Sequence, residues 1–230
     1  VLAMVAEFKV RRDLLVDGTR PDEDSGTAGF GVVVVKGARA ELYSARLSGN
    51  TTTGMFVDGA STSAQVRGGT VDATRPRKSD QKLGHGMFVG KGAALRVDGA
   101  RIHGCRSVGL FVDGAGAHVE AHALVVDGTL RRVQDGGLGI GLEVMDGAHV
   151  ALHSARLSGN RLAGAAVIHA GSELRASDLL VDATEEGKAG TAAAAAGIRV
   201  ADGGFVELNR ARITDNGQIG VVVLDPGSRL

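Results

Sequence analysis

Two histidine pairs, one cysteine, a recurring arginine and three phenylalanines have the types and spacing that could do chemistry in this 230-residue chain. His118 and His122, and His149 and His153, have the His-x-x-x-His spacing that puts two imidazoles on one helix face, where they could hold zinc. On a strand the two rings of a pair lie roughly 13 Å apart, at about 3.3 Å per residue, too far to share an ion. Glu120 would then approach His153 across adjacent strands. The expectation is solvated histidine and no metal site. As a nucleophile, Cys105 would need a histidine partner and an electropositive setting. His103 is near in sequence but is expected to point elsewhere, so Cys105 reads as a small buried residue. The acidic run Asp22-Glu23-Asp24 lies in a polar segment. No catalytic residue and no cofactor are assigned.

What positions these residues is a repeat. A phrase of Gly, apolar residue, any residue, Val or Ala, then a Gly-containing turn, begins at Gly31, Gly54, Gly86, Gly109, Gly141, Gly164, Gly197 and Gly220, with gaps of 23, 32, 23, 32, 23, 33 and 23. Other columns keep the same beat: Asp17, Asp72, Asp127 and Asp182, then Thr19, Thr74, Thr129 and Thr184. Arg46, Arg101, Arg156 and Arg212 form another, and Asn50, Cys105, Asn160 and Asn216 a fourth. Within a unit, apolar positions separated by one variable position have the period of a strand. Three short strands per unit, with Gly and Asp turns between, describe one coil of a parallel β-helix. An i, i+3, i+4 stripe is missing and Gly recurs in every unit, which argues against helices. Stacked coils sharing a narrow core leave little room for bulky side chains, in keeping with six Phe, one Tyr and no Trp.

The long units carry polar inserts near 20–28, 75–83, 130–138 and 185–193, expected to form a row along one side. The position two after the anchor Gly should face outward, so Phe56, Phe88 and Phe111 should stack on three consecutive coils as a contact surface. The Arg46, Arg101, Arg156 and Arg212 column should also face outward, at about 9.6 Å spacing, and could meet a regularly charged polymer. The Asn column should hydrogen-bond backbone at a coil corner.

Lys plus Arg equals Asp plus Glu at 26 each, so no net positive charge points to nucleic acid. No run approaches the roughly 18 apolar residues of a membrane span. One Cys excludes a disulfide scaffold. The chain starts at Val1 and stops partway through a unit, so residues 1–230 are expected to be one domain cut from a longer chain.

Short coils ending Ala-Arg-Leu-Ser-Gly-Asn alternate with long coils ending Val-Asp-Ala-Thr-Arg-Pro-Arg-Lys-Ser-Asp, followed by Gly-His-Gly-Met-Phe-Val. This alternation resembles bacterial right-handed parallel β-helix repeat proteins of pectin-lyase-like architecture. The resemblance implies an all-β, right-handed parallel β-helix of about eight or nine coils. It also implies an extracellular or cell-surface location. Hydrolases of the polygalacturonase type carry Asn-Thr-Asp, Asp-Asp, Gly-His-Gly and Arg-Ile-Lys. Here only Gly84-His85-Gly86 matches fully, Arg101-Ile102-His103 matches in part, and no Asp-Asp pair exists. His85 is expected to be exposed between two structural glycines. The reading is a non-enzymatic structural, adhesive or binding module with a polysaccharide or protein partner; the alternative is a polysaccharide-active lyase or glycoside hydrolase. The oligomeric state is left open.

Overall fold

The computed structural model describes residues 7–185 and 194–230. Every regular element among them is a β-strand, and the strands pair in parallel within two sheets. No helix among them is long and apolar enough to cross a membrane. The first sheet is a run of eight strands: Val32–Val35, Thr53–Asp58, His85–Val89, Val108–Asp113, Ile140–Met145, Ala163–Ile168, Ala196–Ala201 and Ile219–Val223. Each carries the apolar positions of one copy of the anchor phrase, and each of the six inner strands pairs with the copies before and after it.

The second sheet has 13 strands and two halves. The long strands Arg39–Ser48, Ser63–Asp72 and Ala94–His103 span both. Beyond them the halves separate: His118–His122 pairs with residues 94–98, and Val125–Asp127 with residues 101–103. One circuit of the chain thus visits three faces, as the apolar spacing required, and the whole is compatible with a β-helix.

The bends have a local cause. Between the two halves every circuit places a residue at positive φ: Asp13, Ser44, Gly68 (followed by Gly69), Gly99, Ala123, Ser154, Asp178 and Arg210. In Ala94–His103 the buried residues are Leu95 and Val97, then Ala100 and Ile102. The alternation slips by one at Gly99, so both halves send apolar side chains into the same interior. A second such column, from Gly18 and Gly49 to Ala183 and Asp215, turns the next corner. The largest fully buried side chains are Leu, Met and Ile; all seven aromatics stay half-buried.

The Asn column clamps that second corner. Asn160 Oδ1 accepts from Thr129 N at 3.1 Å and its Nδ2 donates to Val126 O at 3.4 Å. Asn50 bridges Thr19 N and Val16 O, and Asn216 bridges Thr184 N and Val181 O. Cys105 is buried in the same place, its thiol 3.5 Å from Thr74 Oγ1 and 3.9 Å from Val71 O. Burial pushes this thiol's pKa up, away from the nucleophilic thiolate.

Three inserts close in the same way, by backbone bonds Asp22 N to Thr27 O, Arg77 N to Lys82 O, and Arg132 N to Gly137 O, at 2.7–2.8 Å. Arg77–Asp80 and Arg132–Asp135 ion pairs clip two of them, and Ser25 donates to Asp22 in the third. Ser79 N reaches Gly26 O, so the first two inserts touch. The fourth, beyond Glu185, lies outside the described residues as far as position 193.

Candidate functional site

The arginine column stands on the outer surface of the second half of the 13-stranded sheet. Its ladder reads Leu15, Arg46, Thr70, Arg101, Val125, Arg156, Leu180, Arg212. Two residues on, the Asp column runs beside it. Arg101 binds Asp127 through two bonds, Nε to Oδ1 at 2.8 Å and Nη2 to Oδ2 at 2.6 Å. Arg156 grips Asp182 in the same manner, and Arg46 lies 3.4 Å from Asp72. Burial alone would push Asp127 up, but bonds from Arg101 and His103 hold it below the usual carboxylate range. The guanidiniums are exposed, yet each of these three is neutralised by an Asp one circuit on. The spacing in sequence could not reveal this, because the partners lie 26 residues apart.

The histidines spread along the first half of that sheet. His118 registers with His149, and His122 with His153. The His122 and His153 rings stack with centroids 4.6 Å apart. Glu120 does not turn to His153 as expected. It registers with Ala151, and its carboxylate meets His122 Nε2 at 3.2 Å and Arg96 at 3.4 Å, while His153 bonds Ser177 Oγ. Side chains on a strand face their register partners, which fixes this outcome. Among the described residues no group of three His, Cys, Asp or Glu could hold a metal ion.

The outer surface of the eight-stranded sheet carries the phenylalanines. Phe56 and Phe88 stack at 4.9 Å, Phe88 meets Phe111 edge-on at 5.5 Å, and Phe30 extends the row at 5.4 Å from Phe56. His85 is not exposed: it is 5 % accessible, with its ring 5.3 Å from that of Phe111. Its Nδ1 is buried without a hydrogen-bond partner. One signal could have revealed this burial. The position before the anchor Gly otherwise reads Phe30, Thr53, Val108, Ile140, Ala163, Ala196 and Ile219, a nearly apolar column.

Glu143 takes the Phe position on the circuit after Phe111 and is 8 % accessible. Further along, Ile140, Ala163 and Ala166 form a small apolar cluster with Leu138 and Leu162. Two titratable groups are therefore buried on either side of Phe111. Burial pushes the Glu143 carboxyl up to about 7, helped by the Asp113 charge and opposed by Arg132 of the insert. Burial pulls the His85 imidazole down to about 4, and the Arg132 charge acts in the same direction. Strongly perturbed groups of this kind mark candidate sites.

Their effects on stability have opposite signs. The Glu143 carboxyl is raised, so its contribution is complete below about 4.5 and is lost as pH rises towards 7. The His85 imidazole is depressed, so its contribution is complete above about 6.5 and is lost as pH falls towards 4. Between those values the two slopes oppose. Replacing Glu143→Gln is expected to leave the His85 slope alone, so stability climbs from pH 4.5 to 6.5 and then levels. At pH 8 the variant should exceed the parent by on the order of 3 kcal/mol. Urea unfolding midpoints at four or five pH values measure this; superimposable profiles would refute it.

No family model, curated protein or solved structure matches this chain.

Proposed function

We propose that the chain is a right-handed parallel β-helix serving as a non-enzymatic structural or binding module of an exported or cell-surface protein. The observation that carries this reading is the regularity of the lattice. Corner residues recur for structural reasons in every circuit, and Asn clamps and Arg–Asp pairs at two-circuit intervals. Right-handedness rests on the strong preference for that hand in connections between parallel strands. The Phe56, Phe88 and Phe111 row is one contact surface, since contiguous half-buried rings offer an apolar strip. The Arg46, Arg101, Arg156 and Arg212 column is the other, through guanidinium edges turned away from the Asp column.

Affinity electrophoresis through gels holding acidic or neutral polysaccharide tests it. Retardation of the parent chain is expected. Replacing all four arginines by Gln should abolish retardation in acidic gels, and replacing the three phenylalanines by Ala should weaken it in neutral ones. Unchanged mobility of the parent in every gel would leave a purely structural rod.

One observation favours the alternative, a polysaccharide-active enzyme. Glu143 and His85 are buried in two largely apolar columns, and an acid with its pKa near neutrality suits proton donation to a leaving group. Release of reducing ends or unsaturated products by the parent, lost in Glu143→Gln, would establish that reading.

A further inference from the structure

The chain is neutral overall, with 26 cationic and 26 acidic side chains, yet its first two circuits concentrate positive charge in one place. A depression of about 420 Å³ is lined by Lys9, Arg11, Arg12 and Tyr43. The Arg67 guanidinium lies over the Tyr43 ring, 5.5 Å from its centroid. The carboxylate bonded to this group is Glu41, paired with Lys9 and accepting from Tyr43 Oη at 3.2 Å. Arg11 and Arg12 make no ion pair among the described residues and are exposed. Asp98 registers beside Arg67, on the side away from Tyr43. Two guanidiniums and an ammonium thus line the depression, with Arg67 beside it over Tyr43 and the Glu41 carboxylate bonded to Lys9.

Through Glu41 this cradle adjoins a second depression, about 340 Å³, lined in part by Arg39, Ser63, Gln65, Arg96 and Glu120. We propose that Lys9, Arg11, Arg12 and Tyr43 bind a tetrahedral oxyanion, the phosphate or sulfate ester of a sugar whose ring occupies the adjoining depression. A carboxylate offers two oxygens, whereas two guanidiniums and an ammonium line the depression; a tetrahedral ester presents three free oxygens to guanidinium forks and a point-charge ammonium. The planar amide, guanidinium and carboxylate groups next door are suited to ring hydroxyls. This site lies on a different half-sheet from the arginine column. It names a ligand for the binding-module reading and rests on that reading.

Titration calorimetry of the whole chain with glucose 6-phosphate, glucose 6-sulfate, inorganic phosphate, inorganic sulfate, glucuronate and glucose tests it. Both esters should bind at least tenfold more tightly than glucuronate and glucose, with the inorganic ions between. The tighter of the two esters identifies phosphate or sulfate as the source. The double variant Arg11→Gln, Arg12→Gln should lose tenfold or more in ester affinity with an unchanged melting temperature, and Arg210→Gln, at an exposed arginine paired with Asp178, should lose none. Equal binding of ester and glucuronate, or an unaffected double variant, overturns the proposal. If gels still retard the chain while esters fail to bind, the cradle is wrong and the binding-module reading survives. If esters bind at the cradle while no gel retards the chain, the cradle stands and the polymer-binding surfaces fall.

Discussion

Replacing Gly141→Ala is expected to cost about 4 kcal/mol, near the upper end of what single substitutions do. The reason is a close approach of backbones, not an unusual φ. A Cβ at position 141 would sit 2.6 Å from Asn160 Nδ2 and 2.7 Å from the Gly164 carbonyl oxygen. Neither neighbour can retreat. The amide clamps the corner below it, and the carbonyl belongs to the next strand of the sheet. The whole anchor column shares this contact: from Gly31 to Gly197 an added Cβ meets the following glycine's carbonyl at 2.4–2.7 Å. Gly99→Ala is the control. It adopts φ +70° with nothing within 4 Å of an added Cβ, so only the left-handed backbone penalty of about 1 kcal/mol applies. Equilibrium urea unfolding of the two variants against the parent measures both. Equal, small losses would show that the stack yields where close packing says it does not.

The Asn160→Ala variant should lose about 3 kcal/mol. Both groups that the amide satisfies, Thr129 N and Val126 O, are main-chain atoms at a corner formed by Gly128 at φ +64°. Asn160 is fully buried, so no water replaces the lost partners and a small cavity is left as well. Cys105→Asn is the converse. The thiol makes long contacts of 3.5–3.9 Å to Thr74, His103 and Val71, where Asn50 makes 3.1 Å bonds at the equivalent corner. Restoring the amide should stabilise the chain by about 1 kcal/mol. Melting temperatures of the two variants, moving in opposite directions, would verify the clamp; a neutral Asn160→Ala would refute it.

Much of this molecule was legible in its sequence. The alternation of 23- and 32-residue units fixed how many strands each circuit contributes and which columns stack. Period-two spacing determined which side chains turn inward, and scarcity of aromatics matched an interior of Leu, Met, Ile, Val and Ala. The outward Phe row, the buried Cys105 and the corner role of Asn50, Asn160 and Asn216 all followed from column positions.

What the tertiary structure alone decided lies between circuits. Repetition states that Arg101 and Asp127 recur, but not that the strand twist and corner geometry bring one onto the other 26 residues later. It marks Gly141 as a fixed column without giving the reason, a carbonyl on the next strand. It placed His85 in solvent, because the two neighbouring glycines resemble a turn. In the folded chain that residue follows Gly84 at φ +96° and turns its ring against Phe111. Period encodes which residues align along the stack. Contact distance, burial and the pKa values that follow depend on side-chain direction at the slips in alternation, and only the packed chain sets those directions.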